Sequence, residues 1–235
     1  MTVVTISGQI GSGAREVGRL AAERLQLDYV DQEILVQAAR ELGVPVETVV
    51  SKDERTAGFG ERIATMLRRF LERSAAAGVA DPTMGPGSLD VLLGRTYAEA
   101  AASDGLPDVS DERYLDTLCN VVRDLAGHGD VLIIGRGSQS ILRDWPGACH
   151  VLLVAPHKRR VEFIAQRDGI DADEAAKRVR GGAKGRTDFH HKFFKIDVDD
   201  PAHYHVAINT GSFSLDQSAA IIAEVAQRVP PAGGA

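Results

Sequence analysis

Cysteine is scarce. The two present, Cys119 and Cys149, sit in neither a CxxC nor a Cys/His spacing, so a disulfide framework and a structural zinc site are both excluded as organising principles. Aromatic residues make up only 5% of the chain, and no apolar run approaches the roughly 20 residues needed to span a bilayer. The amino-terminal stretch MTVVTISGQIGSG lacks a charged n-region and an apolar core long enough for export, so a cytoplasmic protein is expected. Excess positive charge is also missing. The formal net charge is −6, which argues against a long nucleic-acid track or a membrane surface as partner.

What is present is an ordinary globular composition. The 235 residues are 44% apolar and 26% charged, enough for one domain or one core carrying an insertion. Charge is distributed unevenly. Residues 157–195 hold eleven Lys/Arg against six acids, a local excess of +5 on an otherwise acidic chain. Such a field suits a small polyanion, although i,i+4 pairs on a solvated helix face would give the same count.

Short apolar runs that read as buried strands occupy 3–7, 28–30, 131–134, 151–154 and 205–208. Helical patterns fall at 15–25, 32–42, 111–126, 157–167, 171–180 and 215–229. Strands that alternate with helices imply parallel pairing through right-handed crossovers, hence an α/β fold with a doubly wound, five-stranded parallel sheet. VLII, and VLLV after His150, are continuous apolar runs, as expected where helices cover both sheet faces. Between about 43 and 110 no strand signal appears. Helical segments at 61–73 and 89–102 flank the stretch DPTMGPGS, which predicts a helical insertion, and the tail 230–235 reads as disordered.

The most informative local feature is Gly8-Gln-Ile-Gly11-Ser-Gly13, directly after the first strand and directly before a helix. Glycines there let backbone N–H groups approach phosphate oxygens, and the helix N-terminus adds partial positive charge. A GxGxxG dinucleotide loop fails because Glu16 stands at the third glycine, although Asp31 ends the second strand where a ribose-binding acid would sit. The phosphate-loop pattern GxxxxGK[ST] matches at Gly8 and Gly13. It then breaks, with Ala14 at the lysine position and Arg15 at the magnesium-binding hydroxyl position.

Four segments, ISGQIGSGAREVGRLAAERLQLDYVDQEIL, GDVLIIGRGSQSIL, HVLLVAPHKRRVEFIAQRDGI and DPAHYHVAINTG, together resemble the cytidylate kinase-like branch of the P-loop nucleoside monophosphate kinases. In that branch the loop often reads GSGGRE-like, so Ala14 and Arg15 look like a family trait. The resemblance implies that Gly8, Gly11, Ser12, Gly13, Ala14 and Arg15 hold the phosphates of ATP, with Asn209 beside the adenine. It implies that Arg136, at the end of the strand VLII, holds a monophosphate, in a Gly-Arg-Asp motif whose acid is here Gly137. From the residues alone, Arg136 is equally readable as the partner of a nearby carboxylate. Asp31 is readable as a ribose- or base-orienting acid, as an anchor for metal-bound water, or as a helix N-cap.

A lid over about 168–195 is expected, with Arg15, Arg180 and Arg186 as catalytic cations and Gly181-Gly182 as a hinge. The aspartate that related enzymes carry before the second lid arginine is replaced by Ala183. His190 and His191 lack a third ligand at fixed spacing, so no protein metal site is expected. The implied activity is ATP- and Mg2+-dependent phosphorylation of a nucleoside monophosphate, CMP or dCMP. The alternative is a catalytically weak nucleotide sensor of the same fold, favoured by the missing lysine, hydroxyl and acids.

Overall fold

Strand β1 (Val3–Gly8) is central to the sheet in the computed structural model, which describes residues 1–33, 96–101 and 111–229. The chain continues through α1 (Ala14–Leu25), β2 (Asp28–Val30), α2 (Tyr97–Ala101) and α3 (Asp111–His128). It then forms β3 (Val131–Ile134), α4 (Ser138–Ile141), β4 (Ala148–Val154), α5 (His157–Asp168) and α6 (Ala172–Phe194). A 3₁₀ turn (Pro201–His203), β5 (Val206–Asn209) and α7 (Leu215–Ala226) complete it. All five strands are parallel, in the order β2-β3-β1-β4-β5. The doubly wound sheet expected from the sequence is therefore present. The expected insertion at 43–110 and the tail at 230–235 lie largely or wholly outside the described residues.

The central strands β1, β3 and β4 are buried on both faces, at nearly every position. Val4 and Ile6 of β1 pack with Leu132, Val151 and Leu153 against Val17 and Ala21 of α1 and Ile222 of α7. Val3, Val131 and Ile133 point the other way, toward Tyr114, Leu118 and Val122 of α3 and Phe189 of α6. Each fully buried aliphatic or aromatic side chain contributes about 1.5–3 kcal/mol. Phe189, wholly buried with Tyr97 and Phe193 rings 4.9 and 5.1 Å away, ties α2 and α6 together; its removal would cost about 3–5 kcal/mol.

Several boundaries differ from the sequence reading: the last helix, read to 229, ends at Ala226, and two further differences have a clear cause. Strand β4 starts at Ala148 and not at 151, because Ala148, Cys149 and His150 pair with Val3, Val4 and Thr5 of β1. Helix α6 does not stop at 180. It runs unbroken from its N-cap Asp171, whose carboxylate accepts from Glu174 N–H at 2.8 Å, through Gly181-Gly182 to Phe194. The buried positions Ala175, Val179, Arg186, Phe189 and His190 keep helical spacing across the glycines. Gly182 and Gly185 serve close approach. A Cβ on Gly182 would come 2.8 Å from Ile10 Cγ1, and one on Gly185 would come 2.9 Å from the backbone N of Ala98. Among the described residues no helix is long and apolar enough to cross a membrane.

Candidate active site

Parallel order reverses around β1, and open α/β sheets bind ligands at the carboxyl ends of their strands near such a reversal. A cleft of about 660 Å3 opens there. Its lining includes Gly8, Gly11, Gly13, Ala14, Arg15, Asp31 and Arg136, which the sequence had separated by more than a hundred positions.

The glycine loop is shaped by contacts that leave no room for side chains. Gly11 and Gly13 have φ of 87° and 74°, in the left-handed region. A Cβ on Gly11 would lie 2.6 Å from the Arg160 carbonyl oxygen, and one on Gly13 would lie 2.7 Å from Leu215 Cδ2. The loop is braced from behind. Gln9 N–H donates to the Leu153 carbonyl, Ser12 N–H to the Gln9 carbonyl, and the Thr210 hydroxyl to the Ser12 carbonyl, each at 2.9 Å. Gly13 is the N-cap of α1 and supplies no side-chain cap for the N–H groups of the helix's first turn. Ser12 Oγ is fully buried without a hydrogen-bond partner. A concave glycine cradle results at the edge of the cleft.

The left wall is acidic and basic together. Arg15 forms an ion pair with Glu33, and its Nε lies 3.9 Å from Asp31 Oδ2. Asp31 is only 2% exposed and accepts from the Tyr29 hydroxyl at 2.9 Å. Burial, followed by the field of that carboxylate, pushes the Tyr29 phenol well above its usual value. Arg15 therefore stands at the cradle's edge tethered to two carboxylates.

Opposite, Arg136 follows β3 in an unusual turn. Gly135, Arg136 and Gly137 have φ of 69°, 61° and 65°, three successive left-handed residues. For an arginine that conformation costs about 1–2 kcal/mol, and such strain concentrates where a side chain must be held for a task. Arg136 is 4% exposed, and its backbone N–H donates to the Tyr97 hydroxyl at 2.7 Å.

Of the expected arginines, Arg15 and Arg136 line the cleft, whereas Arg180 is exposed on α6 and is not among its lining residues. Arg186 differs from a mobile lid residue. It is 2% exposed, with Nη1 donating to Asp199 at 2.7 Å and Nη2 to Ser7 Oγ at 2.9 Å, behind the glycine loop. The helix that carries it is continuous, so it is fixed in place. Asn209 sits at the exposed end of β5, where its Oδ1 accepts from Gly211 N–H at 2.9 Å, outside the cleft lining. His190 is wholly buried, and among the described residues no group of three or more His, Cys, Asp or Glu is arranged for a metal.

Several lining residues escaped the sequence reading, Tyr97 and Arg167 among them. Tyr97 lies on a short helix inside the helical segment expected at 89–102, and no local signal marks it as a site residue. Arg167, on α5, reaches the cleft while paired with Asp168 at 2.7 Å. Its place in the basic segment was the only sign.

The model of the Cytidylate kinase-like family matches residues 3–212. A cytidylate kinase from Methanopyrus kandleri is 28% identical over 221 residues, covering 94% of this chain and 90% of that protein. A protein named uronate isomerase from Corynebacterium glutamicum is 27% identical over 142 residues, which is 60% of this chain but only 27% of that protein. Among solved structures, an uncharacterized protein from Eubacterium ventriosum superimposes with a TM-score of 0.60 at 14% identity, covering 97% of this chain and 99% of that one, a likeness of fold.

Proposed function

The chain belongs to the cytidylate kinase-like family, and from that membership we propose that it transfers the terminal phosphoryl group of ATP to a nucleoside monophosphate, CMP or dCMP. One observation carries the reading: an uncapped glycine cradle and the strained, buried Arg136 face a single cleft of nucleotide size. The cradle fits a polyphosphate, since a Cβ at Gly11 or Gly13 would collide with protein and the first-turn amides of α1 need an acceptor.

In this reading an acceptor phosphate oxygen bonds to the γ-phosphorus as the bond to the β–γ bridging oxygen breaks, and ADP leaves. No side chain becomes a covalent intermediate, so the chain's work is positioning and charge neutralisation. The loop amides hold the donor tail. Arg136 orients the acceptor phosphate, with Asp31 beside its sugar or base. Arg15, released from Glu33, and Arg167 supply charge in place of the absent lysine. Arg180 joins only through movement of its side chain over the cleft, and Arg186 acts by locking Ser7 behind the loop. Magnesium, when bound with ATP, neutralises the β- and γ-phosphates; Asp31, through water, is the residue that would hold it. Losing the lysine would cost a few kcal/mol of transition-state stabilisation, by analogy with other donor deletions.

ADP release followed with CMP, dCMP, UMP and AMP tests the proposal, with turnover expected for a cytidine monophosphate. Arg136→Ala should raise KM for the monophosphate about tenfold or more while leaving KM for ATP nearly unchanged. Equal losses would remove Arg136 from the acceptor site. A second reading, a nucleotide sensor, is favoured by Ala14 and by the engagement of Arg15 with Glu33 and Asp31. Ligand-induced thermal stabilisation without turnover on any monophosphate would select it.

A further inference from the structure

A second pocket of about 450 Å3 shares no lining residue with the cleft. It lies where α4, the first residues of β4 and β5, and the carboxyl end of α6 converge, with Gln139, His150, Phe194 and His205 in its wall. Two of these residues are more than nine-tenths buried and carry unanswered polar atoms. Gln139 is 3% exposed, and neither atom of its amide has a hydrogen-bond partner. His150 is 4% exposed; its Nδ1 meets Thr5 Oγ1 at 2.8 Å, and its Nε2 makes no well-formed hydrogen bond, the Leu142 and Arg143 backbone being its nearest polar company. A buried polar group left unpaired forfeits its hydration without compensation. Three such atoms around one pocket are unfavourable in isolation and become favourable when an occupant supplies the complementary groups.

The chemistry of the wall narrows the occupant. The backbone N–H of His150 donates to His205 Nδ1 at 2.9 Å, so that nitrogen accepts and the His205 ring proton sits on Nε2, a donor. Phe194 and Tyr204 supply ring surface, and the Tyr204 hydroxyl is already committed to the Val198 carbonyl at 2.7 Å. Arg143 stands exposed at the rim without an ion pair to any described residue. None of the lining residues is acidic, on a chain whose net charge is −6. Burial and the neighbouring His205 ring pull the His150 imidazole down to about 4, so at neutral pH it is an uncharged hydrogen-bonding group.

We propose that this pocket is a second ligand site that takes a small planar ring bearing an anionic group, the ring against Phe194 and Tyr204, its polar edge at Gln139 and His150, and its anion at Arg143. A nucleoside monophosphate and a simple aryl phosphate share that chemistry.

Titration of the full, 15N-labelled chain with phenyl phosphate, benzoate, CMP and inorganic phosphate tests it. Phenyl phosphate is expected to shift the Ser140 and His205 backbone amides and the Gln139 side-chain amide saturably. Arg143→Glu should weaken those shifts about tenfold while leaving any shifts at Gly11 and Gly13 intact. Gln139→Leu, apolar and of similar size, should weaken ring-bearing probes and not inorganic phosphate. CMP binding at Ser140 and His205 would extend the site to nucleotides; binding of phenyl phosphate or benzoate without CMP would restrict it to smaller aryl anions. Absence of saturable shifts at these residues up to about 10 mM, insensitivity to Arg143→Glu, or an affinity unchanged in Gln139→Leu would each overturn the assignment.

Discussion

The Tyr97 hydroxyl accepts a 2.7 Å hydrogen bond from the backbone N–H of Arg136, joining residues 39 positions apart. Through it, a short helix seated on α6 controls the turn that carries the most buried arginine of the cleft. The Tyr97 ring is held 4.9 Å from Phe189 and 5.7 Å from His190, so its hydroxyl has little freedom. A Cβ on Gly135 would lie 2.6 Å from that same oxygen, which explains why glycine precedes the arginine.

Tyr97→Phe removes the acceptor and leaves the packing. The orphaned N–H should cost about 1–3 kcal/mol, much of it in the positioning of Arg136. Monophosphate affinity, measured calorimetrically, should fall about tenfold, with ATP affinity and far-ultraviolet dichroism unchanged. An equal fall for both ligands would argue that Tyr97 supports the fold alone.

Gly13→Val places a branched side chain at φ 74° and within 2.7 Å of Leu215 Cδ2. Stabilisation by ATP in a thermal-shift assay should disappear, and the unliganded melting temperature should also drop, since left-handed backbone is costly for a β-branched residue. Gly127→Ala, where an added Cβ meets nothing within 4 Å, is the control.

Gly181→Ala separates a hinge from a continuous helix. A Cβ there meets nothing within 4 Å, so alanine should stabilise α6 by about 0.5–1 kcal/mol with nucleotide affinity retained. Gly185→Val should do the reverse, because its side chain meets the backbone of Ala98 and displaces α2 with Tyr97. Urea midpoints of the two variants, set beside their ligand affinities, check the pair. Loss of affinity in Gly181→Ala would restore a bending role for the glycines.

Ala14→Lys returns an ammonium to the phosphate cradle. Turnover in the ADP-release assay should rise about tenfold or more, the lower range for restoring one charged donor. A fall would mean that Arg15 or Arg167 already occupies that space in the complex.

Acid should destabilise the fold through two histidines. Burial lowers His150 and His190 to about 4, below the ordinary 6.5. Both are neutral in the folded state, so the unfolded chain takes up protons first as pH falls. Their contribution is complete above about pH 6.5 and is lost progressively toward pH 4, at about 1.4 kcal/mol per pH unit for each histidine inside that window. Urea midpoints at pH 7 and pH 5 should differ accordingly. His150→Gln and His190→Gln together should flatten the difference.

Local pattern was sufficient for the sheet and for the cradle. Continuous apolar runs such as VLII declared strands buried on both faces, and three glycines between a strand and a helix marked the turn that borders the cleft, because both signals are written in neighbouring residues. Arg136 was legible for the same reason, standing directly after a strand end. Helix α6 was misjudged at Gly181-Gly182, where local propensity says bend. Only the tertiary structure reveals that Ile10 presses against Gly182 and Ala98 against Gly185, while the helix runs straight through. Arg186, a mobile lid cation by local reading, is fixed by Ser7 and Asp199, partners that β1 and the loop before β5 bring to it. Tyr97 and the second pocket exist only by convergence of distant segments. Periodicity and turn chemistry act over a few residues and survive in one dimension; what a side chain faces is decided by closure of the chain, and that is settled by packing.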